Sequence, residues 1–493
     1  MRAEIARGAA WMVLFRLFDR SVGIVSTALL ARLLIPADFG LVAMAMSVIA
    51  IIDLATTFSF EIALIQKPDP KREHFDTAWT LNILIAIAGA LVTAALAVPA
   101  ASFYGDPRLV PVMFAICGAW LISGFENTGT ANFRRDMNFS AEFRWMASKR
   151  LISFIVTLVA AFVLRSYWAL VIGMAMGRAS GVVISYIVHP FRPRFALTCA
   201  RELFSFSGWL LVNNIAGVVF SRLPHIYVGR MFGAQTLGAY AVGSEIAQLA
   251  QTELVAPINR AMFPGYARMA DDPPTFRRLW MDATAAILLI ALPVSAAVAV
   301  LARPMVRVLL GEQWQQAVPI IHILAFSGAI TALSSNNVSA YLALGKPYLS
   351  TLIHATRVLI FVAIILLLVP GHGVVSVAYA EVAAAFCSLL AGFPILLWSL
   401  QLNARDYLAS LWRPLLASAL GAGAVSAAVN AVGNPDSFSG AVMQLLVGLL
   451  VGAATYPALL WLLWIASGRP QAMETEIARR IGSSLSGLLR RAA

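Results

Sequence analysis

The sequence is poor in charge, in cysteine and in histidine. Only 12% of its 493 residues are charged, whereas 60% are hydrophobic. So few charges among so many apolar residues argue against a water-soluble domain and indicate a polytopic membrane protein. The three cysteines, Cys117, Cys199 and Cys387, have no metal-ligand spacing, and the six histidines are scattered along the chain. We therefore expect no metal and no cofactor.

Runs of about 20 apolar residues, bounded by charged and turn-forming residues, predict about 14 membrane-spanning helices. The first six are predicted at 8–34, 38–65, 77–103, 109–132, 142–164 and 167–188. Six more are predicted at 204–232, 236–263, 277–302, 316–344, 347–369 and 373–400, and a last pair at 412–432 and 440–466. The run after Arg7 is longer than the roughly 7 to 15 apolar residues of a signal peptide, so the first helix is expected to be retained.

The predicted fold is all-α, with two six-helix bundles and an additional helix pair. Its segments are an N-terminal bundle at 1–188, a polar cytoplasmic connector at 189–203, a C-terminal bundle at 204–400, the helix pair at 401–466 and a tail at 467–493. The tail has isoleucines and leucines on one helical stripe and arginines around it. This pattern predicts a cytoplasmic amphipathic tail on the anionic inner leaflet.

Basic residues fall almost entirely on one side of the predicted membrane. If the N-terminus is cytoplasmic, the cytoplasmic connectors and both termini hold roughly two dozen lysines and arginines, against four on the opposite connectors. The positive-inside rule therefore places both termini in the cytoplasm. The net charge of +12 reflects this topology, and no nucleic-acid partner is expected.

Short motifs recur in the same order in both halves of the chain. Arg32 and Gly40 are eight residues apart, and so are Arg230 and Gly238. Further matched pairs are Phe75 and Trp79 with Phe276 and Trp280, Val110-Pro111-Val112 with Val318-Pro319-Ile320, and Ala147-Ser148-Lys149 with Ala355-Thr356-Arg357. An even number of helices in each half makes the repeat parallel, and such repeats commonly bind a substrate between them. Arg32 and Arg230 are interpreted as turn residues that bond the last helical carbonyls.

Several of these segments carry a resemblance to a known family. They are Ala28 to Ser47, Glu61 to Lys67, Arg134 to Ser140, Gly229 to Gly243 and Pro257 to Pro264. The chain resembles, from about Gly8 to Ala466, the polysaccharide transporters of the multidrug/oligosaccharidyl-lipid/polysaccharide exporter superfamily, and among them the Wzx-type flippases for O-antigen or exopolysaccharide repeat units.

The resemblance implies a location, a mechanism and partners. It implies two six-helix bundles arranged as a V in the bacterial inner membrane, with alternating access to a central, often cationic cavity lined by the first two helices of each half. The implied substrate is an undecaprenyl-diphosphate-linked oligosaccharide, moved from the cytoplasmic to the periplasmic leaflet. Besides this lipid-linked oligosaccharide and the membrane lipids, the partners expected are a polysaccharide polymerase and a chain-length regulator.

The first predicted helix carries three charges on one face. Arg16, Asp19 and Arg20 have i, i+3, i+4 spacing, and a charge inside a membrane helix normally faces protein or water. Arg222 lies at a comparable position in the second half. Since guanidinium groups bind phosphate through a fork of donors, the arginines are candidate ligands for a lipid diphosphate. The alternative is that Asp19 and other acids neutralise them in structural ion pairs.

Other polar residues within the predicted spans are candidates for ion coupling and sugar binding. Asp53 and Glu253 lie at nearly equivalent predicted depths in the two halves, and Glu245 is closer to the outer surface. A desolvated carboxylate can take up a proton or bind sodium, although pairing with the cavity arginines is an equally open interpretation. Asn213 and Asn214 are candidates for sugar hydroxyls or for bonds between helices.

Three functions are consistent with a chain of this kind. A flippase of lipid-linked oligosaccharide for lipopolysaccharide or exopolysaccharide biosynthesis agrees with the arginines of the first helix. An ion-coupled exporter of cationic drugs is the alternative within the superfamily, but it requires a cavity dominated by acids and aromatic residues. A polytopic glycan polymerase or ligase requires outward segments with catalytic groups, and the outward connectors are short. We therefore expect a transporter and not an enzyme.

Overall fold

In a computed structural model of the protein, the described residues form helices and connecting loops and no strand. The structure describes residues 2–56, 60, 64–65, 67, 70–433 and 437–468, and side chains at 2–10, 13, 51, 53–56 and 204–220 lie outside that description. The side chains of Asp53, Asn213 and Asn214 are therefore outside the described residues, and so is the predicted tail from residue 469 onward.

The helices of the first half begin within a few residues of the predicted positions. They are α1 (Arg2–Leu33), α2 (Pro36–Thr56), α3 (Arg72–Tyr104), α4 (Leu109–Ser123), α5 (Ala131–Arg135), α6 (Phe139–Leu164) and α7 (Trp168–Val188), with a 3-10 turn at Thr128–Thr130. The following helices are α8 (Ala200–Ala247), α9 (Ala256–Arg268), α10 (Pro273–Val300) and α11 (Ala302–Met305), with π-helical turns at Ala250–Val255 and Val306–Leu310 and a 3-10 turn at Glu312–Trp314. The last five are α12 (Ala317–Ala343), α13 (Pro347–Leu368), α14 (Val374–Leu400), α15 (Ala404–Ala431) and α16 (Phe438–Ala466).

Many of these helices are long and apolar enough to cross a membrane. Within the described residues there are nine such helices, or ten if the bent pair Leu109–Ser123 and Thr128–Arg135 is one span. The chain is thus an all-α, multi-pass membrane protein, as predicted from composition. The total of 14 spans stays a prediction.

The helix ends use side chains that are typical of N-caps. The side chains of Asn138, Asp272, Asn403 and Ser437 accept hydrogen bonds from backbone N–H groups two or three residues further on. These caps satisfy donors that the first helical turn leaves without an intrahelical acceptor. Polar residues between the apolar runs therefore set where several helices begin.

The region around Gly233 agrees with the predicted boundary between a helix that ends at 232 and one that starts at 236. Helix α8 runs from Ala200 to Ala247 and is interrupted at Gly233, whose φ of 76° is in the left-handed region. Glycine adopts this conformation at low cost, so the chain bends there with no separate loop. A π-helical turn, Ala250–Val255, then separates α8 from α9.

The predicted connector at 189–203 is held on the side of α3. The backbone N–H of Arg194 donates to the Asp76 carboxylate at 2.9 Å, and that of Ala196 donates to the Thr80 hydroxyl at 3.0 Å. The side-chain amide of the buried Asn127 donates to the carbonyl of Phe191 at 2.8 Å. This part of the connector is therefore an extended segment that is hydrogen-bonded to α3 and to Asn127, and α8 begins after it.

The chain divides into two compact units. One comprises Met1–Ala241 with Leu309–Gln313, and the other comprises Val242–Val308 with Trp314–Ala493. The division falls within α8 and not at the predicted connector. The predicted bundles at 1–188 and 204–400 therefore stay a prediction about the repeat and are not the units seen in the packing.

Repeat positions from the two halves have similar environments. Phe75 and Trp79 are buried on α3, as Phe276 and Trp280 are on α10. In the first unit, a Cβ added to Gly40 would lie 1.8 Å from the carbonyl oxygen of Ala234, and one added to Gly238 would lie 1.8 Å from that of Pro36. The two copies of the motif thus contact each other reciprocally, and neither glycine has room for a side chain.

The turn between α1 and α2 is hydrogen-bonded by the side chains of Gln313 and Asp38, which the sequence analysis did not single out. The Gln313 side-chain amide donates to the carbonyls of Ala31 and Leu34, at 2.5 and 3.0 Å. The Asp38 carboxylate accepts from the N–H of Ile35 at 3.1 Å and from that of Tyr167 at 3.0 Å. At the matching position of the second half, Arg230 lies over the Phe103 ring at 5.5 Å. The turn-stabilising role predicted for Arg32 and Arg230 therefore stays a prediction.

Candidate functional site

The charged face of α1 meets α6 inside the first unit. Arg16, Asp19 and Arg20 are all half-buried, although their helix carries several exposed apolar residues. The Asp19 carboxylate oxygen lies 3.0 Å from Nε of Arg150 on α6. The acid that was predicted to accompany the arginines of α1 therefore pairs with a cation from another helix.

Aromatic contacts fix α1 against α6 on the same side. The ring of Phe143 on α6 lies 5.1 Å from that of Trp11, 6.2 Å from that of Phe15 and 6.1 Å from that of Phe18. Such pairs contribute about 0.5–1.5 kcal/mol each beyond their buried area. Further along α1, Gly23 leaves space for the guanidinium, since a Cβ there would lie 3.2 Å from Nη2 of Arg150. Packing therefore sets where the Arg150 side chain lies.

A cavity of about 240 Å³ lies beside Arg150 in the first unit. Three of its lining residues, Ser26, Ser153 and Thr157, carry hydroxyl groups, and Phe39 and Phe154 contribute aromatic walls. The Ser153 hydroxyl donates to the carbonyl of Gly173 at 2.9 Å, and the Thr157 hydroxyl donates to that of Ser153 at 2.6 Å. Since each hydroxyl oxygen can also accept, the cavity offers one cation and several hydrogen-bonding oxygens.

A second polar cluster lies between α6 and α7. The Lys149 ammonium is 3.8 Å from the Glu126 carboxylate and 4.9 Å from the centre of the Trp145 ring. Arg178 on α7 donates to the Ser123 hydroxyl at 3.2 Å. Neighbouring residues of α6 thus point to different surroundings, Lys149 to this cluster and Arg150 to the cavity.

Of the predicted residues whose side chains the structure describes, none is among those that line this cavity. Arg222 is half-buried on α8 and Glu245 is exposed near the end of that helix. Glu253 is half-buried in the π-helical turn Ala250–Val255 of the second unit. Such turns are frequent at functional sites, which makes Glu253 worth testing. Asp53, Asn213 and Asn214 have no described side chain, so their predicted roles stay untested.

One group of potential metal ligands is present within the part of the chain that the structure describes. His74, Cys199 and Glu202 place ligand atoms within 4.8 Å of one another. The Lys67 ammonium contacts both Glu202 and Nε2 of His74, while Nδ1 of His74 accepts from the N–H of Lys71 at 3.1 Å. The arrangement therefore resembles a salt-bridge cluster that joins the start of α3 to α8.

Titratable groups in two of the connecting loops, Asp106 and His189, have pKa values that are lowered from their usual range. Arg108 donates to both carboxylate oxygens of Asp106, at 3.0 and 2.7 Å, and this hydrogen bonding lowers the pKa of Asp106. Burial lowers the pKa of His189, whose ring packs edge-on against Phe133. We expect both groups to have a structural role in the loops.

Comparison with known proteins assigns the chain to a family. The model of a family described as "Polysaccharide biosynthesis protein" matches residues 29–319, more than half of the chain. The chain belongs to this polysaccharide biosynthesis family. The match includes Arg150, the other cavity residues except Ser26, and Gly40 and Gly238, whereas Arg16, Asp19 and Arg20 lie before it.

Relatives of the polysaccharide biosynthesis family extend the likeness over nearly the whole chain. The teichuronic acid biosynthesis protein TuaB of Bacillus subtilis is 24% identical, over 93% of this chain and 95% of its own. The lipopolysaccharide biosynthesis protein WzxC of Escherichia coli is 21% identical, over 85% of this chain and 86% of its own.

Solved structures show the same fold in two kinds of transporter. The inward closed conformation of the lipid II flippase MurJ has a TM-score of 0.73 at 14% identity and covers 93% of this chain and all of that chain. The inward-facing conformation of a multidrug resistance MATE family transporter has a TM-score of 0.59 at 14% identity and covers 78% of this chain and 96% of that chain. These structural likenesses establish the fold of this family member.

Sequence reasoning missed Arg150 as the partner of Asp19. A signal was available, because Lys149 and Arg150 are adjacent charges inside the predicted span at 142–164. Charges within a spanning segment normally face protein or water and mark functional positions. What the sequence alone could not give was the direction of each side chain.

Proposed function

We propose that this protein is a flippase that moves undecaprenyl-diphosphate-linked oligosaccharide repeat units from the cytoplasmic to the periplasmic leaflet of the bacterial inner membrane. The observation that carries the proposal is the set of half-buried charges on α1, Arg16, Asp19 and Arg20, within the first compact unit of a largely apolar protein. Membership of the polysaccharide biosynthesis family supports the substrate class. The fold shared with a lipid II flippase supports the type of movement.

The arginines supply the chemistry that a lipid diphosphate requires. Arg16, Arg20 and Arg222 each have a guanidinium group, which can bind phosphate oxygens in a bidentate manner. Asp19 limits the excess of positive charge on α1. Asn213 and Asn214 are proposed to bond the sugar hydroxyls. Access to the substrate site alternates between the two sides of the membrane. Both termini lie in the cytoplasm, and the polymerase and the chain-length regulator act on the delivered repeat unit.

The membrane potential supplies part of the driving force. A diphosphate that leaves a negative-inside cell gains roughly 2.3 kcal/mol per charge per 100 mV. Asp53, Glu253 and Glu245 are proposed to couple an ion to the return step, since a carboxylate that changes its exposure can bind and release a proton or sodium. Export therefore proceeds on the potential alone, and the acids govern how fast the empty protein resets.

The test is a leaflet-resolved transport assay with the whole protein in proteoliposomes. Lipid-linked oligosaccharide is labelled in one leaflet, and its appearance in the other is followed with and without a potential. We expect movement without any lengthening of the glycan, accelerated by a potential that is negative on the donor side. Lengthening of the glycan would instead indicate a polymerase.

The second candidate is an ion-coupled multidrug exporter, which the fold shared with a MATE family transporter favours. It is tested in the same vesicles with a fluorescent cationic drug and an imposed proton or sodium gradient. Drug export with no movement of the lipid-linked oligosaccharide would overturn the flippase proposal. We expect the reverse, because the α1 face has two arginines and one aspartate.

A further inference from the structure

Arg150 lies in the middle of a spanning helix. It is eleven residues, about 16 Å, from the start of the 26-residue helix α6. A charge at this depth costs roughly 2.5–3.5 kcal/mol even on insertion scales, so it requires a partner or a ligand. Asp19 is the ion-pair partner that the described residues provide.

The pairing of Arg150 with Asp19 is an exchangeable one. Their oxygen and nitrogen are 3.0 Å apart, yet Nε of Arg150 is buried and, among the described residues, has no hydrogen-bond acceptor in line with it. The pair is therefore held by charge attraction and not by a hydrogen bond from Nε of Arg150. The side chains of Arg150 and Asp19 keep 39% and 47% of their exposure, so neither is enclosed by the surrounding helices.

The cavity beside the pair is suited to a compact anion. Its volume of about 240 Å³ is below the roughly 300–1,000 Å³ of pockets for drug-sized ligands, so it holds a head group and not an oligosaccharide. The hydroxyls of Ser26, Ser153 and Thr157 line it together with Arg150. The donors that the cavity offers to phosphate oxygens are the Arg150 guanidinium and the Ser26 hydroxyl, because the hydroxyl protons of Ser153 and Thr157 are donated to backbone carbonyls.

We propose that Arg150 and this cavity bind the diphosphate of the lipid carrier, with Asp19 as an internal counter-ion that the diphosphate displaces. The assignment of the ligand rests on the proposed function. A diphosphate has more negative charge than a carboxylate and more oxygens for the Arg150 donors. Once displaced, the Asp19 carboxylate turns to Arg16, which lies three residues back on the same face of α1. The protein thus keeps its buried charges paired in both states.

The two residues of the pair are predicted to have opposite effects. Arg150 attracts the anion, so Arg150→Gln weakens binding. Asp19 competes with the anion, so Asp19→Asn strengthens it. A purely structural ion pair predicts that both changes weaken binding through the same loss of folding. The sign of the Asp19→Asn effect therefore separates a counter-ion from a structural partner.

The experiment measures affinity in purified full-length protein in lipid nanodiscs, with farnesyl diphosphate as the probe and farnesol and inorganic pyrophosphate as reference compounds. We expect Arg150→Gln to weaken farnesyl diphosphate binding at least tenfold and Asp19→Asn to tighten it severalfold. Lys149→Gln is the matched control on the neighbouring residue, and we expect a change within twofold. Farnesyl diphosphate is expected to bind more tightly than pyrophosphate, and farnesol is expected not to bind at this site.

Several results would overturn the proposal. These are unchanged binding in Arg150→Gln, weakened binding in Asp19→Asn, or an equal loss in Lys149→Gln. Equal affinity for pyrophosphate and farnesyl diphosphate would contradict a lipid carrier as the source of the diphosphate. The double variant Asp19→Asn with Arg150→Gln removes both charges of the pair, so it is expected to unfold at the wild-type temperature and bind as weakly as Arg150→Gln alone.

Failure of this site and failure of the flippase proposal give different results. Wild-type protein that moves lipid-linked oligosaccharide, together with unchanged binding in Arg150→Gln, would reject the site alone. Wild-type protein that binds farnesyl diphosphate through Arg150 but moves no lipid would reject the flippase function and retain an anion site.

Discussion

The two predicted repeats carry different charges at one pair of matched positions in corresponding helices. On α6 of the first repeat, Lys149 is followed by Arg150, whereas the aligned residues on α13 of the second repeat are Arg357 and Val358. Arg357 is buried and donates to the hydroxyls of Thr331 and Ser327, at 3.3 and 3.4 Å. The second repeat therefore has one cation inside packed helices, while the first has an additional cation beside a cavity.

The cavities of the two units show the same difference. The one in the first unit is lined by Arg150 and hydroxyl-bearing residues. One in the second unit, of about 260 Å³, lies between α10, α15 and α16 and is lined mostly by small apolar residues such as Gly421, Ala422 and Gly452. The predicted repeat accounts for the matched motifs of the two halves, whereas the cation of the first unit's cavity lies at a position where the halves differ.

The largest effect is expected from removing the charges of α1. Arg16→Ala with Arg20→Ala is predicted to abolish surface polysaccharide while the protein remains in the membrane, because the carrier diphosphate loses two guanidinium groups. The matched control is Arg268→Ala with Arg278→Ala, two exposed arginines of the second unit. Polysaccharide stained on whole cells is the measurement. Normal polymer in the α1 double variant would show that the asymmetry between the repeats has no role in transport.

The second-largest effect is expected at the glycines that the two predicted repeats share. Gly40→Ala and Gly238→Ala are each predicted to lower the free energy of unfolding by about 1–3 kcal/mol, because each new methyl group meets a carbonyl oxygen of the other motif. Gly118→Ala is the control, since a Cβ there has no atom within 4 Å among the described residues. Denaturant unfolding in detergent provides the values. Markedly unequal losses at Gly40 and Gly238 would contradict the reciprocal contact.

A third prediction compares the matched cations directly. Arg357→Gln is expected to cost about 1.5–3 kcal/mol, the range for hydrogen bonds to a charged group in a buried place. Lys149→Gln is expected to cost less than about 1 kcal/mol, since its ion pair with Glu126 is partly exposed. The same unfolding measurements serve for both variants. If Lys149→Gln were the more damaging change, the cation of the first repeat would be the structural one.

The smallest effect concerns the loop after α3. Asp106→Asn is expected to cost less than about 1 kcal/mol at pH 7, because its partner Arg108 is half-exposed. The pKa of Asp106 is lowered in the folded protein, so its contribution is present above the unfolded pKa of about 3.9 and is lost as the pH falls below it. Unfolding of wild type and variant at pH 7 and pH 3 should therefore differ less at the lower pH. An equal difference at both pH values would contradict the ionic partnership.

The sequence was most informative about features with a local or periodic cause. Apolar runs place the helices, and the motif around Gly40 and Gly238 indicates the repeat. The helix ends depend on neighbouring residues such as Asn138 and Asp272, so they are also readable from the sequence. The break at Gly233 falls between the helices predicted at 204–232 and 236–263. The π-helical turn that contains Glu253 depends on tertiary packing, and the apolar pattern does not show it.

The sequence predicted the α1 residues of the candidate site but not Arg150 or the cavity, and the reason is geometric. Spacing on α1 shows that Asp19 shares a face with Arg16 and Arg20, because these residues belong to one helix. The partner Arg150 is 131 positions further along the chain, and its direction depends on how α6 packs against α1 through Phe143. No periodicity links two such residues. The hydroxyl-lined cavity likewise exists only once α1, α2, α6 and α7 have come together.

The most direct test of the account is leaflet-resolved movement of lipid-linked oligosaccharide by wild-type protein and by Arg150→Gln in matched proteoliposomes. The account predicts that wild-type protein moves the labelled lipid from the donor to the acceptor leaflet and that Arg150→Gln does so at least tenfold more slowly, with Lys149→Gln close to wild type. Equal rates in wild type and Arg150→Gln, or no movement by wild-type protein, would contradict it.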